Sequence, residues 1–328
     1  MKGLWILLLC PLLASAQKEL VGAGATFPEP LYSKWFADFS ERHPEFPIRY
    51  EGVGSAEGIQ RLADRKVDFA GSDMPLDDEQ LAKLGRPVLQ LPSAIGAVVP
   101  IYHIEGITAD LRFTPAALAG IFLGRIKQWN DAAIQSANRG VRLPKREIRV
   151  VHRSDGSGTT FVWTDYLSKV SAEWKTATGA GTSVAWPVGQ GATGSEGVAR
   201  QLSATPDSIG YVEFIFALRN HLSYGSVRNA AGRFVTADLD SIAAAATNAA
   251  PGMPADFRFS ITNAPGRESY PIASFTYLLL ADPGKNGWMR DLVEWILTSG
   301  QRQSAGFGYG TLPPEVVERA QKAIKTSP

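Results

Sequence analysis

The segment that most constrains the fold is residues 148–169, IRVVHRSDGSGTTFVWTDYLSK, in which a short polar turn joins a strand to a helix. Its first residues are apolar and β-branched, and an amphipathic pattern restarts at about Gly158. The first N–H groups of a helix lack intrahelical partners and the helix dipole is positive there, so such a turn can hold an anion. The turn also carries a cation, a carboxylate that can orient it, and two hydroxyls, which together suit a tetrahedral oxyanion. These side chains are Arg153, Asp155, Ser157 and Thr159.

Two further segments follow the same pattern. Residues 21–27, VGAGATF, lead into a helix whose first turn accommodates Pro28 and Pro30. Residues 48–54, IRYEGVG, lead into SAEGIQRLADRK, where Ser55 is the predicted N-cap. One such unit only turns a chain, and a capped helix with a surface Arg–Asp pair explains the first segment equally well. Three units favour several helix N-termini aimed at one point.

Strand and helix patterns alternate along the whole chain, which predicts an α/β fold with mainly parallel sheets flanked by helices. Residues 67–76, VDFAGSDMPL, form a predicted strand that ends in a loop carrying Ser72 and Asp73, and Asp77 caps the next helix. Residues 89–103 are almost wholly apolar and indicate one or two buried strands. A strand is also expected at 183–188, before the loop GQGATGSEG. Later helices are predicted at 114–124, at 198–204, around 285–299 and at 316–327.

The composition excludes several classes of protein. The 328 residues suit two lobes of ordinary size, and 45% hydrophobic with 20% charged residues is typical of a folded globular chain. A net charge of +1 with scattered basic residues argues against a nucleic-acid partner. The four histidines are scattered and form no cluster with carboxylates, so neither a metal nor a cofactor is predicted.

The N-terminus has the pattern of an export signal. Lys2 provides a positive start, residues 4–13 an apolar stretch, and Ala-Ser-Ala at 14–16 a small-residue cleavage site. A signal peptide is therefore predicted at 1–16, with the mature chain beginning near Gln17 and residing in the periplasm. The apolar stretch is too short to span a bilayer.

The only cysteine, Cys10, lies inside that signal. Lipid anchoring at Cys10 stays an alternative, although Leu9 and Pro11 are poor neighbours for lipid-linked cleavage. If the signal peptide is instead removed near Gln17, the mature chain has no thiol, which excludes disulfides and cysteine catalysis.

Five segments resemble, in order and spacing, the periplasmic phosphate-binding proteins of high-affinity phosphate ABC importers. They are VGAGATFPEPLYSKW, YEGVGSAEG, VDFAGSDMPL, RSDGSGTTFVWTDYLSKV and GYVEF, and the resemblance runs from about residue 20 to the C-terminus. It implies a two-lobed type II periplasmic binding protein that closes on its ligand by hinge motion. The implied function is binding of inorganic phosphate, as a monomer, and delivery to ABC permease subunits in the inner membrane, without enzymatic activity.

The resemblance also implies which residues contact phosphate. A carboxylate beside an anion makes sense if the ligand carries a proton that Asp73 accepts. Asp155 resembles the residue that holds the arginine in place, and the loop GQGATG differs more from the family pattern and is not assigned to the site. The implied ligand contacts are Thr26, Phe27, Ser55, Asp73, Arg153, Ser157, Gly158 and Thr159.

The expected lobes follow from two apolar crossings of the chain. Lobe 1 comprises residues 17–95 and 272–328, and lobe 2 comprises residues 96–271. The crossings near 91–100 and near 270–275 form the expected hinge.

Three other functions remain open at this point. Gly189, Gly191 and Gly194 form a GxGxxG pattern with Glu213 about twenty residues on, as in dinucleotide-binding proteins. An exported phosphatase would use a hydroxyl near Arg153 as nucleophile, but that needs a base. His152, the histidine next to Arg153, is predicted to point to the opposite face of its strand and to pack. A surface adhesion protein of the same fold is the third alternative.

The tryptophans, including Trp35, Trp129, Trp163, Trp174 and Trp186, are predicted as core rather than as stacking platforms for sugars.

Overall fold

The computed structural model describes residues 19–283 and 287–327. The predicted signal peptide, including Cys10, lies outside the described residues. The strands are β1 (Leu20–Gly24), β2 (Ile48–Gly52), β3 (Phe69–Ser72), β4 (Val88–His103), β5 (Arg112–Phe113), β6 (Arg149–Arg153), β7 (Gln190–Ala192), β8 (Ser208–Glu213), β9 (Ser226–Arg228), β10 (Phe234–Val235) and β11 (Ala273–Ala281).

The helices alternate with these strands. They are α1 (Glu29–Arg42), α2 (Ser55–Ala63), α3 (Asp78–Leu84), α4 (Pro115–Phe122), α5 (Ala132–Gln135), α6 (Gly158–Val170), α7 (Ala172–Ala177), α8 (Gly194–Ala204), α9 (Phe214–Arg219), α10 (Leu239–Ala249), α11 (Gly287–Trp295), α12 (Gln301–Ser304) and α13 (Pro314–Thr326). A π-helical turn, Ile296–Gly300, continues α11. Within the described ranges, no helix is both long and apolar enough to cross a membrane.

One mixed sheet organises the molecule, in the order β2-β1-β3-β11-β4-β8-β6-β7. Its outer strands are parallel, as predicted from the strand–helix alternation. Its central pairings, β3 with β11, β11 with β4 and β4 with β8, are antiparallel. A small sheet in the order β10-β9-β5 lies beside it and was not predicted. The predicted α/β class is confirmed, and the antiparallel centre arises because β4 and β11 cross between the two parallel groups.

The apolar segment at 89–103 forms the single strand β4. Its first part pairs with β11, as far as Ala97, and its second part pairs with β8 from Val98 onward. Nearly all of its residues are buried. A strand covered on both faces is expected to be apolar without interruption, which is why this segment lacks the alternation of a surface strand.

The three strand–turn–helix units form as predicted, with one correction. Ser55 is the first residue of α2 and not its N-cap, which is Gly54 in the positive-φ region (φ 93°). The Ser55 hydroxyl instead accepts the Asp73 backbone N–H at 3.2 Å. Ser157 does cap α6, since its Oγ accepts the Thr160 N–H at 3.1 Å. The freed Ser55 hydroxyl therefore links α2 to the loop after β3.

Two other predictions need correction. Residues 183–188 are not a strand. The short strand β7 lies inside the glycine-rich motif, between Gly189 and Gly194, so this motif does not follow a strand as a dinucleotide turn does. The helix predicted around 285–299 is found as α11 and the π-helical turn, while Lys285 lies outside the described residues.

Most of the tryptophans that the structure describes belong to the core, as predicted. Trp35, Trp129, Trp163 and Trp174 are each 0% exposed. His152 stacks on Trp186 with ring centroids 4.6 Å apart, which confirms that this histidine packs. Burial also lowers the pKa of His152, so it stays neutral near pH 7.

Candidate functional site

The centre of the site is Arg153, the last residue of β6. It is 2% exposed, and its guanidinium makes a bidentate pair with Asp155, with Nε donating at 2.7 Å and Nη2 at 2.5 Å. Although burial alone would raise the pKa of Asp155, the bonds from Arg153 hold it below its usual range. Because two donors are engaged in this fork, the guanidinium is fixed in the plane that presents Nη1 to the interior.

Hydroxyl groups surround Nη1 of Arg153, the guanidinium nitrogen that does not bond to Asp155. Nη1 donates to Ser195 Oγ at 2.9 Å, to Thr26 Oγ1 at 3.4 Å and to Thr159 Oγ1 at 3.5 Å. Thr26 follows β1 and Thr159 lies in the first turn of α6, so two strand–turn–helix units meet at one guanidinium.

The third unit meets the first turn of α6 on its other side. A Cβ at position 158 would lie 2.2 Å from Ser55 Oγ and 2.4 Å from Asp73 Oδ2, so only glycine fits there. The Ala56 N–H donates to the Gly156 carbonyl at 3.1 Å, which ties the start of α2 to the turn before α6. The helix starts predicted from the sequence therefore converge on one buried point.

Asp73 lies in the loop after β3 and is 1% exposed. Its Oδ1 accepts the hydroxyl of Thr276, on β11, at 2.8 Å, whereas Oδ2 is buried and has no partner among the described residues. The pKa of Asp73 is raised to about 8, chiefly by burial; the Thr276 hydrogen bond opposes this rise and the nearby Glu213 adds to it. A carboxyl group in this state holds or shares a proton near neutral pH.

Phe27 lies next to Thr26 and is anchored in the core by Tyr309. Its side chain is 1% exposed and packs edge-on against Tyr309, with ring centroids 6.1 Å apart. The Tyr309 hydroxyl donates to the Phe27 carbonyl at 2.5 Å. These contacts fix the loop that carries Thr26.

Glu213, at the end of β8, is a site residue that the sequence interpretation missed. It is 2% exposed, and its Oε1 accepts the Thr159 hydroxyl at 2.6 Å and the Thr26 hydroxyl at 3.5 Å. The same oxygen lies 3.9 Å from Arg153 Nη1, and Oε2 has no partner within the described ranges. The available signal was the segment GYVEF, in which a buried strand ends in a carboxylate.

Ser195, at the start of α8, was missed together with its loop. Its hydroxyl takes the shortest bond from Arg153 Nη1, and the neighbouring Gly194 N–H donates to Asp155 Oδ1 at 3.0 Å. The loop GQGATG is thus a fourth turn that ends at a helix start. Through these two hydrogen bonds it stabilises the Arg153–Asp155 pair.

The charges of the site define the ligand that it can take. One guanidinium faces three carboxylates, Asp155, Asp73 and Glu213, of which only Asp155 is fully paired. Such a site suits a small anion that has hydroxyl groups of its own. No group of three or more metal-ligating side chains lies among residues 19–283 and 287–327. Near Arg153, the histidine that a serine nucleophile would need as base is packed on Trp186.

Comparison with known proteins shows the family to which the chain belongs. Residues 13–299 match the model of the PBP superfamily domain. The phosphate-binding protein PstS of Xylella fastidiosa (strain Temecula1 / ATCC 700964) is 46% identical over 308 residues, covering 92% of this chain and 84% of that protein. The chain belongs to the PstS family. The PstS protein of Pasteurella multocida (strain Pm70) is 42% identical and covers 96% of this chain and 92% of its own length.

Solved structures show the same fold. A putative phosphate ABC transporter substrate-binding protein with bound phosphate from Clostridium perfringens has a TM-score of 0.67 at 18% identity, covering 90% of this chain and 100% of that one. A phosphate-binding protein from Stenotrophomonas maltophilia has a TM-score of 0.69 at 19% identity, covering 93% of both chains. At these identities the likeness concerns the fold, and it confirms the two-lobed type II periplasmic binding protein expected for a PstS family member.

Proposed function

We propose that this protein binds one inorganic phosphate at the Arg153 site and delivers it to an ABC phosphate importer in the inner membrane, without chemical turnover. The observation that carries the proposal is the buried, bidentately fixed guanidinium facing hydroxyls from several helix starts. An oxyanion held by oriented dipoles and one forked cation needs no further positive charge. Membership of the PstS family supports the same ligand.

The residues that we assign to phosphate are those in the converging turns. The ionised Asp73 accepts a hydrogen bond from a hydroxyl group of the phosphate, and Asp155 orients Arg153. The backbone N–H groups at the start of α6 and the loop of Phe27 complete the shell. The ligand contacts in this proposal are Thr26, Phe27, Ser55, Asp73, Arg153, Ser157, Gly158 and Thr159.

The proposed hinge lies where the two long strands cross between the lobes. Strand β4 changes its partner from β11 to β8 between Ala97 and Val98, and the Val98 N–H donates to the Ile272 carbonyl at 2.9 Å. Both chain crossings are thus adjacent, which supports the proposed boundary between lobe 1 (17–95 and 272–328) and lobe 2 (96–271). An ion pair between Asp78 and Arg258, 2.5 Å apart, bridges the same lobes at the surface.

Export to the periplasm is part of the proposal. The sequence at 1–16 has the pattern of a cleaved signal peptide. Phosphate capture outside the inner membrane requires this location, and the permease subunits are the partners that it implies.

Titration calorimetry of the mature, ligand-stripped protein tests the ligand. We expect one phosphate per chain with a Kd on the order of a micromolar or below, which is about −8 kcal/mol or better. An absence of heat on adding phosphate would refute the proposal. Hydrolysis of a phosphomonoester by the purified protein would indicate a phosphatase instead.

Small-angle scattering tests the hinge. A ligand held between two lobes is reached by opening, so phosphate should make the particle more compact. Equal radii of gyration with and without phosphate would indicate a rigid pocket within one lobe. The Arg258→Ala variant, which lacks the surface ion pair but no site residue, should still close on phosphate.

A further inference from the structure

We propose that Tyr211 is a positioning residue of the site. Its buried hydroxyl joins the end of β6 to the first turn of α6 and so sets the separation between Arg153 and the N–H groups at that helix start. This inference rests on the proposed function and adds to it a residue that does not itself touch the ligand.

Strand β8 holds the two ends of β6 in different ways. The strands pair in register only at their starts, as far as Val150 opposite Ile209. At the end of β6, the backbone N–H of Arg153 donates to the Tyr211 hydroxyl at 3.2 Å. A side chain of β8, in place of its backbone, therefore fixes the residue that carries the guanidinium.

The Tyr211 hydroxyl makes a second bond, to the other side of the turn. A backbone N–H can only donate, so the phenolic oxygen accepts from Arg153 and its own proton is available to Thr160 Oγ1, 2.7 Å away. Thr160 lies in the first turn of α6, is 1% exposed, and its N–H is bound to the N-cap Ser157. One hydroxyl thus bonds to both ends of the turn that joins β6 to α6.

The ring that carries this hydroxyl is tightly packed. Tyr211 is 0% exposed and stacks on Trp163 of α6, with ring centroids 5.1 Å apart and 10° between the ring planes. It also stacks on Trp186, at 5.8 Å, and the same indole stacks on His152 of β6. Close packing on rings from both sides of the turn restricts the phenol to one position. The hydroxyl therefore acts as a rigid spacer.

This spacer prearranges two groups that phosphate needs together. Arg153 supplies the charge and the start of α6 supplies N–H groups, and an anion gains from both only when their separation matches its size. Without the Tyr211 hydroxyl, the ligand itself has to order the turn, and that ordering reduces the affinity. We expect Tyr211→Phe to weaken phosphate binding by about tenfold.

A double-mutant cycle tests how Tyr211 acts. Calorimetry with inorganic phosphate measures the effect of Tyr211→Phe in the parent and in Arg153→Ala, the latter at phosphate concentrations on the order of millimolar. With Arg153 removed, no guanidinium is left to align with α6, so the further loss should be within about twofold. If Arg153→Ala binds too weakly to measure, Asp155→Ala, in which the guanidinium is no longer fixed, serves as the background.

The matched control is Tyr102→Phe. The Tyr102 hydroxyl makes similar bonds, since it accepts the Leu111 N–H at 3.0 Å and donates to the Ala109 carbonyl at 2.8 Å. It lies on β4 opposite Ile209, near the start of β8, whereas the site lies at the end of that strand. Tyr102→Phe should lower the melting temperature, as Tyr211→Phe should, and bind phosphate within about twofold of the parent.

Two results would overturn the inference. Phosphate affinity of Tyr211→Phe within about twofold of the parent would show that the hydroxyl does not position the site. An equal loss in both backgrounds would show that Tyr211 does not act through Arg153. If Tyr211→Phe does not fold, Thr160→Val, which removes the partner hydroxyl and keeps the backbone N–H, is measured in the same two backgrounds and decides. A parent protein that binds no phosphate refutes the proposed function, which is a separate result.

Discussion

Replacing Arg153 by alanine should cost roughly 2–5 kcal/mol of phosphate affinity, a loss of about 30-fold to several thousandfold. The reason is that Arg153 supplies the positive charge of a site in which Asp73 and Glu213 are also buried. Without it, the anion meets carboxylates in a medium of low dielectric constant. Titration calorimetry with phosphate measures the effect.

Three further variants test how Arg153 contributes to phosphate affinity. Arg153→Lys should not restore full binding, because a point charge cannot make both bonds to Asp155 and still face the ligand. Asp155→Ala should cost less than Arg153→Ala, since Ser195 still holds Nη1. Arg149→Ala, an exposed cation on the same strand, is the matched control and should bind like the parent. Phosphate affinity of Arg153→Ala within a few-fold of the parent would place the site elsewhere.

Asp73→Asn should keep much of the phosphate affinity and lose the discrimination against sulfate. Sulfate carries no proton, so above pH 8, where Asp73 is ionised, its oxygens face Asp73 as like charges. A site built around a ligand donor rejects an analogue without it by roughly 10⁴–10⁵-fold. An amide can donate as well as accept, so asparagine removes that penalty. Competition of sulfate against phosphate, in parent and variant at a pH above 8, measures the change.

The selectivity of the parent protein for phosphate over sulfate should depend on pH. Because the pKa of Asp73 is raised to about 8, the parent carries a neutral Asp73 below that pH. A neutral carboxyl can donate to sulfate, so the discrimination of the parent should grow as the pH rises through 8. The Asp73→Asn variant should show no such rise.

Thermal stability distinguishes a role of Asp73 in ligand selectivity from a purely structural role in its loop. A folded pKa of about 8, against about 4 for an exposed aspartate, means that the folded protein binds this proton more tightly than the unfolded chain. The stabilisation is complete below pH 4 and is lost as the pH rises through 8. The melting temperature of ligand-free Asp73→Asn, relative to the parent, should therefore increase between pH 5 and pH 8.5, by roughly 2–4 °C for each kcal/mol. A variant that is destabilised at both pH values while sulfate stays excluded would show that Asp73 only braces its loop.

Local patterns in the sequence were sufficient for most elements of the fold. The turn before α6, the cap at Asp77 and the apolar run of β4 are properties of neighbouring residues, because capping and side-chain periodicity act over a few positions. The same locality explains one error. Local sequence predicted Ser55 as a helix cap. In the fold its hydroxyl instead accepts the N–H of Asp73, which is 18 residues further along the chain.

The composition of the site depended on strand order, which no local pattern encodes. The sequence by itself determined Arg153 with its partner Asp155, since a strand, a polar turn and a helix start place them together within three residues. Only the tertiary structure brought Glu213 and Ser195 to that guanidinium, because β8 and β7 flank β6 in the sheet. Parallel strands that are distant in sequence end at one edge of a sheet, so their last residues meet there whatever their spacing in the chain.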